Sequence, residues 1–197
     1  MERMTPQHAC EALLLRIQAL ILQKGRVLAA IDGMASSGKT TLAAALAEAI
    51  PGCHVVHVDD FFLPAQRRAD VRARLTANAD LERLDADVLA PLCAGKDALF
   101  RPFRCHPEPA FLPPVRIPTD FQAVIVEGAY SLHPLLADRY DLGVVMTIGA
   151  DTQRARIRAR NGEAMLARFE SEWIPLENRH IRVHRLLERC DVRIDVP

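Results

Sequence analysis

One short segment constrains the fold of this chain more than any other feature. Residues 33–40 read Gly-Met-Ala-Ser-Ser-Gly-Lys-Thr, which fits the pattern G-x-x-x-x-G-K-[ST], and they follow the apolar run 27–31. Residues 41–50 are rich in alanine and leucine and favour a helix that ends at Pro51 and Gly52. A strand, a glycine-rich turn and a helix in this order bring backbone N–H groups together around a phosphate. The segment therefore predicts a site for a nucleoside triphosphate with magnesium.

The side chains of this loop predict how the phosphates and the metal are held. Gly33 and Gly38 let the backbone approach the ligand closely. Lys39 is long enough to reach the terminal phosphates, and the hydroxyl of Thr40 is placed to bind Mg²⁺. We therefore expect ATP and Mg²⁺ as ligands. The predicted nucleotide contacts are Gly33, Met34, Ala35, Ser36, Ser37, Gly38, Lys39, Thr40 and Thr41.

The composition excludes several other classes of protein. The chain has 197 residues, half of them hydrophobic, and its 25 basic residues balance 25 acidic ones. This length fits one domain with a sizeable core, and the balanced charge argues against a broad nucleic-acid-binding face. No apolar stretch approaches the roughly 18 residues of a membrane span, and the first residues lack the pattern of a secretion signal. We expect a cytoplasmic monomer or homo-oligomer that acts on a small molecule and binds neither nucleic acid nor a membrane.

Short apolar runs alternate with helical patterns along the chain. The predicted strands cover residues 27–32, 54–58, 123–126, 142–148 and 191–196. The predicted helices cover a segment from Thr5 and Pro6 to about residue 24, then 41–50, part of 132–138, 152–160 and 164–188. This alternation predicts an α/β fold with a parallel sheet, helices on both faces and ligands at the carboxyl ends of the strands. Residues 61–118 interrupt the alternation and are long enough to form an acceptor-binding insertion.

Two carboxylates follow predicted strands, so they belong to the same edge of the sheet as the loop. Asp59 comes directly after strand 54–58. It fits a base that takes the proton from an acceptor hydroxyl, and it fits a helix-capping or turn residue equally well. Glu127 and Gly128 follow the apolar strand 123–126, which favours a magnesium-binding carboxylate over a glutamate that meets solvent.

Four arginines alternate along the predicted helix 152–160. Arg154 and Arg158 share one side of that helix, and Arg156 and Arg160 share another. One pair faces the phosphates and the other faces solvent, and the spacing does not choose between them. The alanine and isoleucine residues between the arginines favour a packed helix over a nucleic-acid-binding arm. Gly162, just beyond, fits the hinge of a short lid.

Aromatic and basic residues in and near the insertion are candidates for acceptor binding, because rings beside arginine and histidine suit a planar base or a sugar. They are Phe61, Phe62, Arg101, Phe103, Arg104, His106, Tyr130 and His133. Core packing is the alternative for each of them, especially for Phe61 and Phe103. His180 and His184 have the spacing of metal ligands, but no third ligand is near them in the sequence, so we expect surface histidines. The five cysteines have no C-x-x-C spacing, which predicts free thiols and no zinc site.

With these motifs in this order, the chain resembles the uridine kinase family, which includes relatives that act on phosphoribulose and pantothenate. The resemblance extends from Val27 nearly to the end of the chain and rests on the loop, on Asp59-Asp60-Phe61-Phe62, on Glu127-Gly128 and on the segment 151–161. It implies a P-loop NTPase three-layer sandwich with a five-stranded parallel sheet in the order 2-3-1-4-5. It also implies one kinase domain over 1–197 with a lid at about 156–169. By the same resemblance Asp59 rather than Asp60 is the base, Glu127 acts near Mg²⁺, and Arg156 and Arg160 are the lid arginines.

The leading hypothesis is an ATP-dependent kinase that phosphorylates a hydroxyl of a nucleoside such as uridine or cytidine. In this hypothesis Lys39 and the loop hold the triphosphate, Thr40, Glu127 and Asp59 surround the magnesium, and Asp59 activates the acceptor. The acceptor contacts are Phe62, Arg104, His106 and Tyr130. The alternatives are a kinase of a sugar, sugar phosphate or vitamin precursor, a nucleotide-dependent switch, and an inactive kinase relative. A switch does not need an insertion of about sixty residues, and an inactive relative does not need the intact set of polar groups.

Overall fold

The structure of the chain is a computed structural model that describes residues 2–4, 6–64, 76, 78–105 and 107–197. Its first elements are strand β1 (Glu2–Met4), helix α1 (Pro6–Lys24), strand β2 (Val27–Gly33), helix α2 (Lys39–Ala49), strand β3 (Cys53–His57) and a 3₁₀ helix (Val58–Phe61). The loop between β2 and α2 carries the phosphate-binding motif. The predicted strand, turn and helix around the motif are therefore confirmed.

The middle of the chain contains one helical run and several short strands. Helix α3 (Leu81–Leu84), a π-helical turn (Asp85–Leu89) and helix α4 (Ala90–Cys93) follow one another without a break, and then come β4 (Ala98–Phe100), β5 (Phe103–Arg104), β6 (Ala110–Phe111), β7 (Val115–Ile117) and β8 (Ala123–Glu127). Antiparallel pairs form between β4 and β7 and between β5 and β6. Residues 65–75, 77 and 106 of the predicted insertion lie outside the described residues.

The last part of the chain is mainly helical. It consists of α5 (Pro134–Ala137), β9 (Leu142–Ile148), α6 (Ala150–Asn161), α7 (Glu163–Arg168), a second π-helical turn (Phe169–Trp173), α8 (Ile174–Val183), α9 (Leu186–Arg189) and β10 (Val192–Val196). The helix predicted over 164–188 is divided once. Helix α7, the π-helical turn and α8 follow one another without a break, and Arg185 adopts a left-handed φ of 52° between α8 and α9. None of the described helices is both long enough and apolar enough to cross a membrane.

The sheet is parallel and has the order β1-β10-β9-β2-β8-β3. The five predicted strands occur in the predicted order 2-3-1-4-5. The detail that differs is the sixth strand, β1, which pairs with β10 at the edge. Glu127 lies in register with Ile31 on one side and with His57 on the other, so the carboxyl ends of β2, β8 and β3 are level. This register brings the phosphate-binding loop, Glu127 and the 3₁₀ helix to the same edge.

The central strands are buried on both faces, as expected for a parallel sheet covered by helices. Every residue of β2, β8 and β9 is buried. On one face, Leu13 and Ile17 of α1 and Leu46 of α2 pack against alternate residues of the strands. On the other face, the helical run from α3 to α4 packs its leucines against Val124 and Val126. The helical run of the insertion therefore belongs to the hydrophobic core on this face of the sheet.

Candidate active site

The phosphate-binding loop leaves β2 through Gly33, where any side chain would displace the backbone of the neighbouring strand β9. Gly33 has a φ of 138°, and a Cβ atom built on it would lie 2.0 Å from the carbonyl oxygen of Met146. Gly38, at the N-cap of α2, also has a positive φ, and so does Ser36. The loop then delivers the chain to the first turn of α2, where backbone N–H groups have no partner within the helix. These N–H groups and the positive end of the helix dipole form an anion-binding site.

The ammonium group of Lys39 lies inside the curve of this loop. Its Nζ donates hydrogen bonds to the carbonyl oxygens of Gly33 at 3.0 Å and Met34 at 2.9 Å. Beside the loop is a cavity of about 470 Å³. Residues that line it include Ala35, Ser36, Gly38, Lys39, Thr40, Thr41, Asp59, Phe62, Glu127, Tyr130, Arg156 and Arg160. Most of the predicted site residues therefore face one shared space.

Glu127 forms a small polar cluster at the end of β8. Thr40 Oγ1 donates a hydrogen bond to Glu127 Oε1 at 3.0 Å, and His57 Nδ1 donates to the same oxygen at 2.6 Å. The hydrogen bond to Glu127 raises the pKa of His57 above its usual range. His57 is not among the site residues predicted from the sequence, although its place at the end of a strand, two residues before Asp59, is a usable signal. The buried carboxylate of Glu127 therefore lies directly beside the hydroxyl that was predicted to bind magnesium.

Asp59 reaches the cavity from the 3₁₀ helix that follows β3. Asp59 is exposed at the cavity wall, but partial desolvation of its carboxyl by the protein around it raises its pKa, and the negative charge of Glu127 raises that pKa further. Asp60 is absent from the cavity lining, and its carbonyl oxygen accepts a hydrogen bond from Arg83 Nη2 at 2.9 Å. Gly128, with a φ of 137°, lets this helix approach β8, since a Cβ atom there would lie 2.8 Å from Val58 Cβ.

The four alternating arginines of α6 divide between two environments. Arg156 and Arg160 line the cavity, and Arg156 Nη1 donates a hydrogen bond to the carbonyl oxygen of Ser36 at 3.1 Å. Arg154 instead pairs with Glu170 at 2.7 Å, and Arg158 pairs with Glu163 at 2.6 Å, both away from the cavity. The spacing alone could not tell which side of α6 points to the cavity. In the structure it is the side that carries Arg156 and Arg160.

Comparisons with known proteins agree with this geometry. Human nicotinamide riboside kinase 2 is 30% identical to the chain over 147 residues, which cover 69% of the chain and 58% of the human protein. The mouse protein of the same name is 43% identical over 44 residues, which cover 22% of the chain and 23% of the mouse protein. A solved structure from Bacillus stearothermophilus, described as a possible uridine kinase, superposes with a TM-score of 0.65 and 20% identity over 93% of this chain and 100% of that one. No protein-family model matches the sequence.

The chain is similar to uridine kinase-like P-loop proteins. It spans little more than half the length of the human relative. The solved structure shows the fold, and the alignment with the human protein shows the similarity in sequence.

The acceptor side of this uridine kinase-like site agrees with the sequence analysis only in part. Phe62 and Tyr130 line the cavity, and Tyr130 adopts a φ of 76°, which is rare for a non-glycine residue. Arg104 is exposed on β5 and does not line the described cavity, so the structure does not support it as an acceptor contact. His106 lies outside the described residues. Phe61, an alternative core residue in the sequence analysis, is fully buried and stacks on Phe100.

Asp32, at the end of β2, is a buried residue that the sequence analysis missed. Its carboxylate accepts hydrogen bonds from the backbone N–H groups of Gly33 at 2.6 Å, Tyr130 at 3.1 Å and Leu132 at 2.8 Å, and from His180 Nε2 at 3.0 Å. Burial alone would raise the pKa of Asp32, but the His180 charge and these hydrogen bonds lower it overall. Asp32 thereby holds the turn that carries Tyr130. An aspartate directly before the loop glycine is a sequence signal that could have indicated this role.

The expectation that His180 and His184 are surface histidines is wrong for His180, which is only 1% exposed. Its ring packs against those of His133, His184 and Tyr130. The described residues contain no group of three or more histidine, cysteine, aspartate or glutamate side chains arranged to hold a metal. The cluster is a packed set of rings next to the loop.

Glu177 of α8 is the second residue that the sequence analysis missed. It lines the cavity, is 8% exposed, and its Oε2 accepts a hydrogen bond from the backbone N–H of Ala35 at 2.7 Å. Burial raises its pKa from 4.5 to about 7, although Lys39 and the hydrogen bond from Ala35 lower it in part. No local pattern separates Glu177 from the exposed acidic residues near it, so only the packing of α8 identifies it.

Proposed function

We propose that this protein is a kinase that transfers the γ-phosphoryl group of ATP to a hydroxyl of a nucleoside, with Mg²⁺ bound at the site. The observation that carries the proposal is the shared cavity of the phosphate-binding loop, Asp59, and the pair Arg156 and Arg160. In phosphoryl transfer the protein mainly positions the reactants and neutralises the charge on the transferred group, and it need not form a covalent bond with them. Each group needed for this chemistry has one candidate in the cavity.

The donor set beside the loop fits magnesium. Thr40 Oγ1 and Glu127 Oε1 are 3.0 Å apart, next to the N-terminus of α2. Magnesium in phosphoryl-transfer sites is held by one or two protein oxygens, and phosphate and water oxygens complete its six positions. We assign Thr40 and Glu127 to the ion, and we assign Asp59, which lines the same cavity, to a water of its shell. When bound, the ion would neutralise negative charge on the phosphates.

Asp59 is the proposed base for the acceptor hydroxyl. Its raised pKa makes it a stronger base than an aspartate with an ordinary pKa. The loop N–H groups and Lys39 would hold the triphosphate from one side. Arg156 and Arg160 would neutralise the transferred phosphoryl group from the other side, and Gly162 would let the segment 156–169 act as a lid. Its φ of 82° and the empty space around its Cα suit such a hinge.

The acceptor proposal combines the cavity with the names of the relatives. Nicotinamide riboside kinase 2 and the possible uridine kinase are both named for nucleosides. The aromatic side chains of Phe62, Phe169 and Trp173 line the same cavity and suit a planar ring. We therefore propose a ribonucleoside as acceptor, with uridine, cytidine and nicotinamide riboside as the first compounds to test.

Transfer from γ-labelled ATP to a panel of nucleosides, sugars and vitamin precursors tests this function. We expect one nucleoside to be phosphorylated and Asp59→Asn to lower kcat by at least about a thousandfold while the Kd for ATP stays within about twofold. Asp60→Asn is the matched control and should keep most of the activity, because Asp60 lies outside the cavity lining. Turnover that survives Asp59→Asn would refute the base assignment. The absence of transfer to every acceptor, with hydrolysis that a protein partner stimulates, would favour the switch.

A further inference from the structure

Helix α8 holds the phosphate-binding loop through two buried side chains that lie one helical turn apart. Glu177 Oε2 accepts the N–H of Ala35 at 2.7 Å, and His180 Nε2 donates to Asp32 Oδ2 at 3.0 Å. Asp32 ends the strand before the loop, and Ala35 is the third residue of the motif. One helix therefore contacts the chain on both sides of Gly33.

Helix α6 holds the same part of the loop from another direction. Gln153 Nε2 donates a hydrogen bond to the carbonyl oxygen of Ala35 at 3.0 Å. The methyl group of Ala35 packs in a small apolar cluster with Ile157 of α6 and Leu166 of α7. The N–H, the carbonyl and the side chain of Ala35 are thus all occupied by α8 and by α6 and α7, the two helices that carry the lid segment.

We propose that α8 braces the phosphate-binding loop, and that Glu177 and His180 are positioning residues that set the loop geometry for nucleotide binding. Because Glu177 takes the N–H of Ala35, that group is already occupied, and the N–H groups at the start of α2 remain to bind the phosphates. The lid is also linked to the loop, because α6 and α7, which carry the lid segment, contact Ala35. The nucleotide part of this inference rests on the proposed function, but the contact between α8 and the loop does not.

Hydrogen exchange of the loop amides tests the brace without any nucleotide. Glu177→Ala removes the acceptor, so we expect the Ala35 amide to exchange at least about tenfold faster than in the wild type. Glu177→Gln keeps an amide oxygen at the same position and should preserve the protection. His180→Phe keeps an aromatic ring but loses the bond to Asp32, and it should speed exchange in the same loop peptide. Glu188→Gln, an exposed glutamate of α9, is the matched control and should leave exchange unchanged.

Nucleotide binding is the second readout. Trp173 is the sole tryptophan of the chain and lines the cavity, so its fluorescence reports titration with ATP. We expect Glu177→Ala to raise the Kd for ATP by about tenfold, the loss expected for one hydrogen bond to a buried group, and Glu177→Gln to stay within about twofold of the wild type.

Several results would overturn the brace. Unchanged loop exchange in Glu177→Ala would do so, and so would Glu177→Gln losing protection as fully as the alanine variant, because the charge rather than the hydrogen bond would then matter. The glutamine variant also decides the question if Glu177→Ala fails to fold. A wild type that binds ATP but phosphorylates no acceptor would refute the kinase proposal and leave the brace to be judged by exchange.

Discussion

Glu177 should make the stability of this protein depend on pH in a way that one substitution removes. Its pKa is raised from 4.5 to about 7 by burial. The folded state therefore binds the proton of this carboxyl more tightly than the unfolded chain does. The stabilisation is fully present below pH 4.5 and is lost as the pH rises through 7. Each pH unit between the two pKa values corresponds to about 1.4 kcal/mol, which amounts to about 3 kcal/mol in total.

Glu177→Gln mimics the protonated form and has nothing to titrate. We expect the free energy of unfolding of the wild type to fall by about 3 kcal/mol relative to this variant between about pH 4.5 and about pH 8. For a chain of this length the same difference is about 6–12 °C in Tm. Asp32, Lys39 and Asp59 surround the carboxyl and remain in both proteins, so the difference between the two curves isolates Glu177.

Denaturant unfolding of both proteins at several pH values measures this effect. Glu188→Gln supplies the control, because this exposed glutamate of α9 should give a curve parallel to the wild type. If the curves for Glu177→Gln and the wild type also run parallel, the carboxyl titrates like an exposed one. The burial described for Glu177 would then be wrong.

Two further pairs of variants test the site. Gly128→Ala should lower phosphoryl transfer by at least about tenfold, because its Cβ would collide with Val58 beside Asp59, whereas Gly25→Ala, which also has a positive φ but has open space and lies outside the cavity lining, should cost only about 1 kcal/mol of stability and leave transfer within about twofold. If the two variants lose the same amount of activity in a steady-state assay, this explanation is wrong. Arg156→Gln should reduce kcat by about a hundredfold or more, and Arg158→Gln, on the opposite side of α6, should stay within about twofold. A steady-state assay in which both variants lose activity alike would show that the two faces of α6 are not distinct.

Much of the fold follows from local patterns in the sequence. The apolar runs, the loop between 33 and 40 and the alternation of elements predict the central strands and the flanking helices, because the periodicity of apolar residues reports which faces become buried. The resemblance to a known family supplies the strand order. The strand β1 was missed because three residues at a sheet edge carry little periodic signal, and the left-handed conformation of Arg185, which separates α8 from α9, has no sequence signature.

The residues of the site also fall into those that a local pattern predicts and those that only the structure identifies. The motif by itself identifies Lys39 and Thr40, because the spacing of a loop on one strand and one helix is a local property. Asp32 contacts His180, which is 148 positions away, and Glu177 contacts Ala35, which is 142 positions away. Their roles depend on such long-range contacts. Burial and the partners of a carboxylate are set by which helices pack on the sheet, and no local pattern encodes them. The sequence alone thus determined which residues could hold a phosphate, and the tertiary structure decided which helices hold that loop in place.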